Sequence, residues 1–300
     1  MQQALHGKDE VIHLATTALL AGGHVLVEDV PGVGKTLLAK SLAETFGCTW
    51  NRVQFTPDLL PSDLIGVNVF EPENGKFTFH PGPVFANILL ADEVNRASPK
   101  TQSGLLECME EQQVTVDATT FHLQRPFFVI ATQNPVEHEG TYPLPESQLD
   151  RFLIKLTLGY PSRSAAIAML DSQGKSSEPR ASLLPISNPE EILQLIRIAS
   201  QCHTAALLKE YVLDIVEATR KNENIALGAS PRACIHLLRA AKATAVLQGR
   251  DYAVPDDIKF TTHAVLEHRL VLSPAARAQG ITPKTVLTSI LEHVPVPHPQ

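Results

Sequence analysis

A basic excess, closely spaced cysteines and long apolar runs are all missing from this chain of 300 residues. Lysine and arginine number 25 against 32 aspartates and glutamates, a net charge of −7, which counts against strong sequence-independent binding to a phosphate backbone and leaves open only a local basic groove. Its four cysteines, Cys48, Cys108, Cys202 and Cys234, form no C-x-x-C and no tight Cys/His cluster, so they read as reduced thiols. The twelve histidines contain no H-E-x-x-H, and a zinc site is not expected. No stretch reaches the roughly eighteen consecutive apolar residues of a membrane span, and membrane insertion is not expected. The stretch from Val11 to Gly23 has acidic flanks, His13 and two threonines where a signal peptide would have a basic start and an apolar core. By default these absences predict a cytoplasmic protein.

What is present is a globular composition: 44% apolar residues, 19% charged residues and a mean hydropathy near zero. The length exceeds that of one ordinary domain and predicts two packed units. Residues 1–158 carry 10 basic and 19 acidic side chains while residues 159–300 carry 15 and 13, so the two halves differ in kind.

Val11, Ile12, Ala15 and Leu19 follow helical spacing until Gly22-Gly23 stop the pattern. A short apolar run, His24 to Glu28, then leads into Pro31-Gly32-Val33-Gly34-Lys35-Thr36, and Leu37, Leu38, Ser41, Leu42 and Phe46 mark the next helix. Further strands are predicted at Trp50–Phe55, Asn87–Ala91, Phe127–Thr132 and Phe152–Leu156, compact apolar runs of the kind buried in a parallel sheet. Two hairpins interrupt the alternation, Val67–Phe79 around Asn74-Gly75 and Val114–Gln124 around Ala118-Thr119. After Gly159-Tyr160-Pro161-Ser162 the chain turns rich in Ser, Pro and charge, and residues 171–188 are expected to be an exposed connection. Helical periods follow at 190–202, 205–222, 232–248, 255–269 and 283–293 with no convincing strand.

Gly32 and Gly34 let successive backbone N–H groups face inward ahead of a helix start, a cradle suited to a polyphosphate. Lys35 can reach the β and γ phosphates, and Thr36 supplies a hydroxyl ligand for Mg²⁺. The pattern G-x-x-x-x-G-K-[ST] would place glycine at Asp29, so the chain departs from it at one position. A second run, Asn87 to Ala91, ends in Asp92-Glu93 at the carboxyl end of its strand, where ligands sit in open α/β sheets. Asp92 suits a water-mediated Mg²⁺ partner, and Glu93 can polarise a water attacking the γ phosphate, which favours hydrolysis over binding alone.

Four stretches now carry a resemblance: Leu26 to Thr36, Gln54 to Asp63, Leu90-Ala91-Asp92-Glu93-Val94-Asn95-Arg96-Ala97 and Ala131-Thr132-Gln133-Asn134-Pro135. Together they resemble the MoxR-type AAA+ ATPases, over nearly the whole chain. The resemblance implies that Asp29 is a usual occupant of its place and that the hairpins are the helix-2 insert and the pre-sensor-1 hairpin. It implies a three-layer α/β nucleotide-binding core with strand order 5-1-4-3-2 over residues 1–160, hairpin inserts at about 64–82 and 112–125, a linker and connecting helix over 161–188, and an all-α lid over 189–300, with the nucleotide between core and lid. Asp29, Val30, Pro31, Gly32, Val33, Gly34, Lys35, Thr36 and Leu37 form the expected cofactor-binding loop, with ATP and Mg²⁺ as ligands. A homo-hexameric ring, a protein client and partners with von Willebrand factor A domains are implied as well.

Three further residues match the family and have a physical rationale. Asn134, after the Phe127–Thr132 strand, matches sensor 1, since a neutral amide there can orient the attacking water; a turn-forming Asn before Pro135 is the plainer alternative. Arg151 matches the arginine finger that stabilises transition-state charge in a neighbour's site, against the alternative of a surface Asp150–Arg151 pair. Arg232 follows Ser230-Pro231 in the first turn of a helix, against the helix dipole, a conflict that an anionic ligand resolves; it matches sensor 2. Arg96 fits an inter-subunit contact and a solvated helix start equally well.

The expected activity is hydrolysis of ATP to ADP and phosphate, coupled to remodelling or maturing another protein. A DNA-linked AAA+ motor and a chelatase-type motor subunit are the alternatives. The acidic first half counts against nucleic acid as a partner, and Glu93 counts against a non-hydrolysing nucleotide switch.

Overall fold

The computed structural model describes residues 1–2, 4–73, 75–134, 140–167 and 183–297. The chain divides into two compact units, one of residues 1–13, 24–144 and 156–193, the other of residues 14–23, 145–155 and 194–300.

In chain order the first elements are α1 (Asp9–Leu20), β1 (Val25–Glu28), α2 (Lys35–Thr45), β2 (Trp50–Gln54), α3 (Pro61–Ile65), β3 (Gly66–Glu71), β4 (Lys76–Pro81), β5 (Ile88–Asp92), α4 (Pro99–Glu111), β6 (Gln113–Val116), β7 (Thr119–His122), β8 (Phe128–Gln133), α5 (Glu146–Leu149) and β9 (Ile154–Leu156). The main sheet has five strands in the order β2-β5-β8-β1-β9. Counted among its own strands alone this is 5-1-4-3-2, with the whole-chain labels shifted by the four hairpin strands. The β1–β8, β5–β8 and β2–β5 pairs are parallel. Val25–Val27, Ile88–Ala91 and Phe128–Ala131 are wholly buried, the near-continuous apolar strands that a sheet covered on both faces requires.

Two buried polar side chains hold the starts of these strands. The Val129 N–H donates to His24 Nδ1 at 3.0 Å, which puts the imidazole proton on Nε2, where it meets the Met109 carbonyl at 3.1 Å. Asn87 accepts from the Thr49 N–H at 3.1 Å and donates to the Pro126 carbonyl at 3.1 Å, joining the chain ahead of β2, β5 and β8.

Both hairpins are antiparallel pairs outside the main sheet. In the first, Gly75 has φ 63°, while Asn74 lies outside the described residues. In the second, the turn falls on Asp117-Ala118, with φ 47° and 66°, one residue earlier than Ala118-Thr119. Two successive positive φ values are what a two-residue loop needs to match the twist of its strands. Phe79 stacks on Phe121 with ring centroids 3.9 Å apart, and Asn68 donates to Asp117 at 2.8 Å, so the hairpins brace each other.

Of the expected connection over 171–188, residues 171–182 lie outside the described residues, and 183–188 carry no helix or strand and are mostly exposed. The later elements are α6 (Pro189–Gln201), α7 (Ala206–Lys221), β10 (Ile225–Leu227), α8 (Pro231–Leu247), α9 (Pro255–Leu266), β11 (Val271–Leu272), α10 (Pro274–Ala278) and α11 (Pro283–His293). Ser230, Ser273 and Thr282 each accept a backbone N–H at a helix start that continues with proline, so the Ser-Pro and Thr-Pro dipeptides set these boundaries. The all-helical expectation is corrected at one point: β10 and β11 form a short antiparallel ladder, too short for a strand periodicity to show in the sequence.

Candidate nucleotide site

The loop after β1 passes through Gly32 at φ 83° and Gly34 at φ 104°, left-handed conformations that cost glycine nothing, and α2 begins at Lys35. Asp29, at the place of the missing glycine, is not left-handed, which is why the loop does not need glycine there. Its buried carboxylate accepts from the Val30 N–H at 2.8 Å and from the Gly159 N–H at 2.6 Å. Lys8 donates to the carbonyls of Leu158, Gly159 and Tyr160 and fixes the same turn. Asp29 is therefore a brace for the phosphate loop rather than a wall of its cavity; its negative charge would oppose a phosphate.

A cavity of about 510 Å³ opens on this loop, and its lining includes Gly32, Gly34, Lys35, Thr36, Asp92, Glu93 and Asn134. Pro31 and Leu37 line it as well, whereas Val30 and Val33 do not. Lys35 Nζ donates to the Asp29 carbonyl at 2.5 Å. Burial lowers the Lys35 ammonium below the ordinary lysine value, and the nearby carboxylates of Asp92, Asp29 and Glu93 oppose that shift.

Asp92 ends β5, and Glu93 follows in a left-handed conformation, φ 57° and ψ 50°, which breaks the strand's alternation of faces, and both residues line the cavity. The Thr132 hydroxyl donates to Asp92 at 2.6 Å and accepts from the Glu93 N–H at 2.9 Å, locking both backbones to β8. Arg52 pairs with the other Asp92 oxygen at 2.7 Å. Glu93 Oε2 accepts from Gln54 Nε2 at 2.7 Å and from Arg96 Nη1 at 3.1 Å. Arg96, equivocal in the sequence, is thus a partner of the candidate base.

The sequence assigns no site role to Arg52, Gln54 or Thr132. Their signal lies in strand adjacency: Gln54 is in register with Asp92 across the β2–β5 pair, and Ala131, before Thr132, is in register with Ala91. Asn134 directly follows β8 and is buried against the cavity.

Arg151 and Arg232 belong to the second unit. Arg151 follows α5, and Arg232 is the second residue of α8. Beside Arg151, Asp150 Oδ1 accepts from Arg269 Nε at 2.7 Å and Oδ2 from the Ser230 hydroxyl at 3.0 Å.

Thr36 and Asp92 offer the cavity a hydroxyl and a carboxylate, the hard oxygen donors that suit Mg²⁺, an ion that keeps several of its waters. No cluster of three or more His, Cys, Asp or Glu side chains suited to a metal occurs among the described residues. No helix among the described residues is long and apolar enough to cross a membrane.

A strand-to-helix phosphate loop facing strand-end carboxylates defines a P-loop nucleotide hydrolase, and the comparisons with known proteins agree. Residues 24–154 match the family "ATPase family associated with various cellular activities (AAA)", and residues 217–290 match the AAA lid domain. The chain is 49% identical to YeaC of Bacillus subtilis over 99% of its own length and 92% of that protein's. It is 42% identical to Chaperone MoxR1 of Mycobacterium tuberculosis, over 99% of this chain and 80% of that one. The crystal structure of a candidate ATPase from Cytophaga hutchinsonii superposes with a TM-score of 0.92 at 40% identity, covering 99% of this chain and 92% of that one. The protein is an AAA+ ATPase that hydrolyses ATP. Within that class the chain belongs to the MoxR family.

Proposed function

We propose that this ATPase works as a chaperone-like motor that remodels or matures a partner protein, assembled as a homo-hexameric ring and served by partners with von Willebrand factor A domains. One observation carries the enzymatic part: the phosphate loop, the Asp92–Glu93 pair and Asn134 line a single cavity. The chaperone role rests on the relative named Chaperone MoxR1.

In this reading the N–H groups of the Gly32–Gly34 loop and the start of α2 hold the triphosphate, and Lys35 meets its β and γ groups. Thr36 and Asp92 would hold Mg²⁺, which supplies neutralising charge to the phosphate oxygens when bound. Glu93 accepts the proton of the attacking water, and for that its carboxylate exchanges Gln54 and Arg96 for the water. Asn134 orients the same water. Arg232 answers nucleotide charge, and Arg151 stabilises the transition state in a neighbouring subunit.

The test is Glu93→Gln. Turnover is expected to fall by about 10²–10⁴-fold, the range a general base supplies, while ATP binding persists. Turnover equal to wild type would remove Glu93 from the role of base. The same variant, loaded with ATP, should capture the partner from a lysate, and von Willebrand factor A proteins among the captured material would support the partner assignment.

A further inference from the structure

In the second unit one carboxylate touches both chain segments that carry the remote arginines. Asp150 immediately precedes Arg151, and its Oδ2 accepts the hydroxyl of Ser230, two residues before Arg232, at 3.0 Å. Arg269 ties the rest of Asp150 to the backbone around it. Arg269, with a side chain 2% exposed, donates through Nε to Oδ1 at 2.7 Å and through Nη2 to the carbonyls of Asp150 and Phe152 at 3.1 and 2.6 Å. Those carbonyls flank Arg151 on both sides, so one guanidinium fixes the backbone from which Arg151 projects. On the other segment, the Ala229 N–H donates to Thr219 Oγ1 at 3.0 Å and Arg220 Nε donates to the Ala229 carbonyl at 2.9 Å, which leaves the start of α8 anchored next to Asp150. A pocket of about 450 Å³ lined by Asp150, Ser230 and Arg269 adjoins the junction.

We propose that the Ser230–Asp150 hydrogen bond is a positioning link by which α8, carrying Arg232, sets the presentation of Arg151 to the neighbouring subunit. The inference rests on the proposed roles of Arg151 and Arg232. When nucleotide charge draws Arg232, the first turn of α8 carries Ser230 with it, and Asp150, Arg269 and the Arg151 backbone that Arg269 holds follow as one unit. The occupancy of a subunit's own site thereby governs how well it serves the next one, a coupling carried by one hydrogen bond and a locked turn.

Ser230 also caps α8 by accepting from the Ala233 N–H, so the test must separate cap from link. Ser230→Asp keeps a cap acceptor but sets a second negative charge against Asp150; Ser230→Gly removes the hydroxyl at little cost to the cap; Ser230→Thr retains both. In Ser230→Asp turnover should fall about tenfold while the Kd for a fluorescent ADP analogue stays within about twofold of wild type, and Ser230→Thr should restore the rate. Mixing Ser230→Asp with Glu93→Gln subunits, which hold ATP without hydrolysing it, should recover hydrolysis, because the latter present an intact Arg151 and an occupied site to the intact catalytic groups of the former. Wild-type turnover in Ser230→Asp, or a loss that mixing does not relieve, would overturn the link. Ser230→Gly, expected to behave the same way, decides the matter if Ser230→Asp does not fold. Arg151→Ala is the control on the underlying reading: wild-type turnover there removes the finger itself, whereas collapse there with normal Ser230→Asp removes only the link.

Discussion

Arginine–carboxylate pairs occur in both units, and their burial separates two kinds of work. At the nucleotide site the side chains of Arg52 and Asp92 are 47% and 14% exposed, and those of Arg96 and Glu93 are 44% and 22% exposed. In the second unit those of Arg269 and Asp150 are 2% and 20% exposed, and Arg269 spends its other donors on backbone carbonyls and on the rings of His236 and His268. A half-exposed pair has water as an alternative partner, so its carboxylate can be released to a metal or a reacting water at little cost. A buried guanidinium has no such alternative and is fixed to its neighbours. The same two functional groups are exchangeable in one place and structural in the other.

Replacing the buried cation gives the largest expected effect. Arg269→Met should destabilise the second unit by about 3–5 kcal/mol, the cost of breaking a buried ion pair and orphaning its acceptors. Chemical denaturation measures it, and a loss below about 1 kcal/mol would make Arg269 no different from a surface arginine.

Acid sharpens the contrast next. His268 is buried beside Arg269, and burial first, then the guanidinium charge, holds its pKa well below the ordinary histidine value. Below the ordinary histidine pKa of about 6.5 the unfolded chain binds a proton that the folded chain refuses, so stability falls as pH drops, by up to about 1.4 kcal/mol per pH unit. The loss should stop once the folded His268 itself protonates. Denaturation midpoints between about pH 7.5 and 5.5 follow it, and His268→Gln should flatten the profile. A wild-type profile already flat over that range would show that His268 is not kept neutral.

The exposed pair gives the smallest change. Arg52→Ala should alter stability by no more than about 1 kcal/mol while Asp92, relieved of its competitor, binds Mg²⁺-nucleotide several-fold more tightly. Titration calorimetry with a non-hydrolysable nucleotide reads the second quantity, and weaker binding would mean that Arg52 supports the site instead of competing in it.

These differences also mark what could be read from the chain alone. Gly32, Gly34, Lys35 and Thr36, and the Asp92-Glu93 pair, are contiguous in sequence and sit at strand ends, so a local pattern carries both their identity and their place. The apolar runs locate the five strands of the main sheet for the same reason. Arg52, Gln54 and Thr132 reach the site only because β2 and β8 flank β5, and adjacency created by crossovers leaves no periodic trace. Arg269 is less legible still: one arginine after a helix looks solvated until the fold closes over it. The turn at Asp117-Ala118 lies one residue before the Ala118-Thr119 expected from the sequence, because alanine at φ 66° carries no turn signal of its own.

Glu93 holds its left-handed backbone because the Thr132 hydroxyl receives its N–H, and this constrains how position 93 can drift. Valine, isoleucine and threonine are excluded by sterics before their chemistry is tried. Glycine, asparagine and aspartate fit the backbone, but they remove the carboxylate, neutralise it or withdraw it by one methylene. Any replacement the chain accepts without strain is then more apt to yield a nucleotide-holding subunit than a misfolded one. Loss of catalysis and loss of structure are separable events at this position, so a folded, nucleotide-holding but catalytically silent protein is one substitution away.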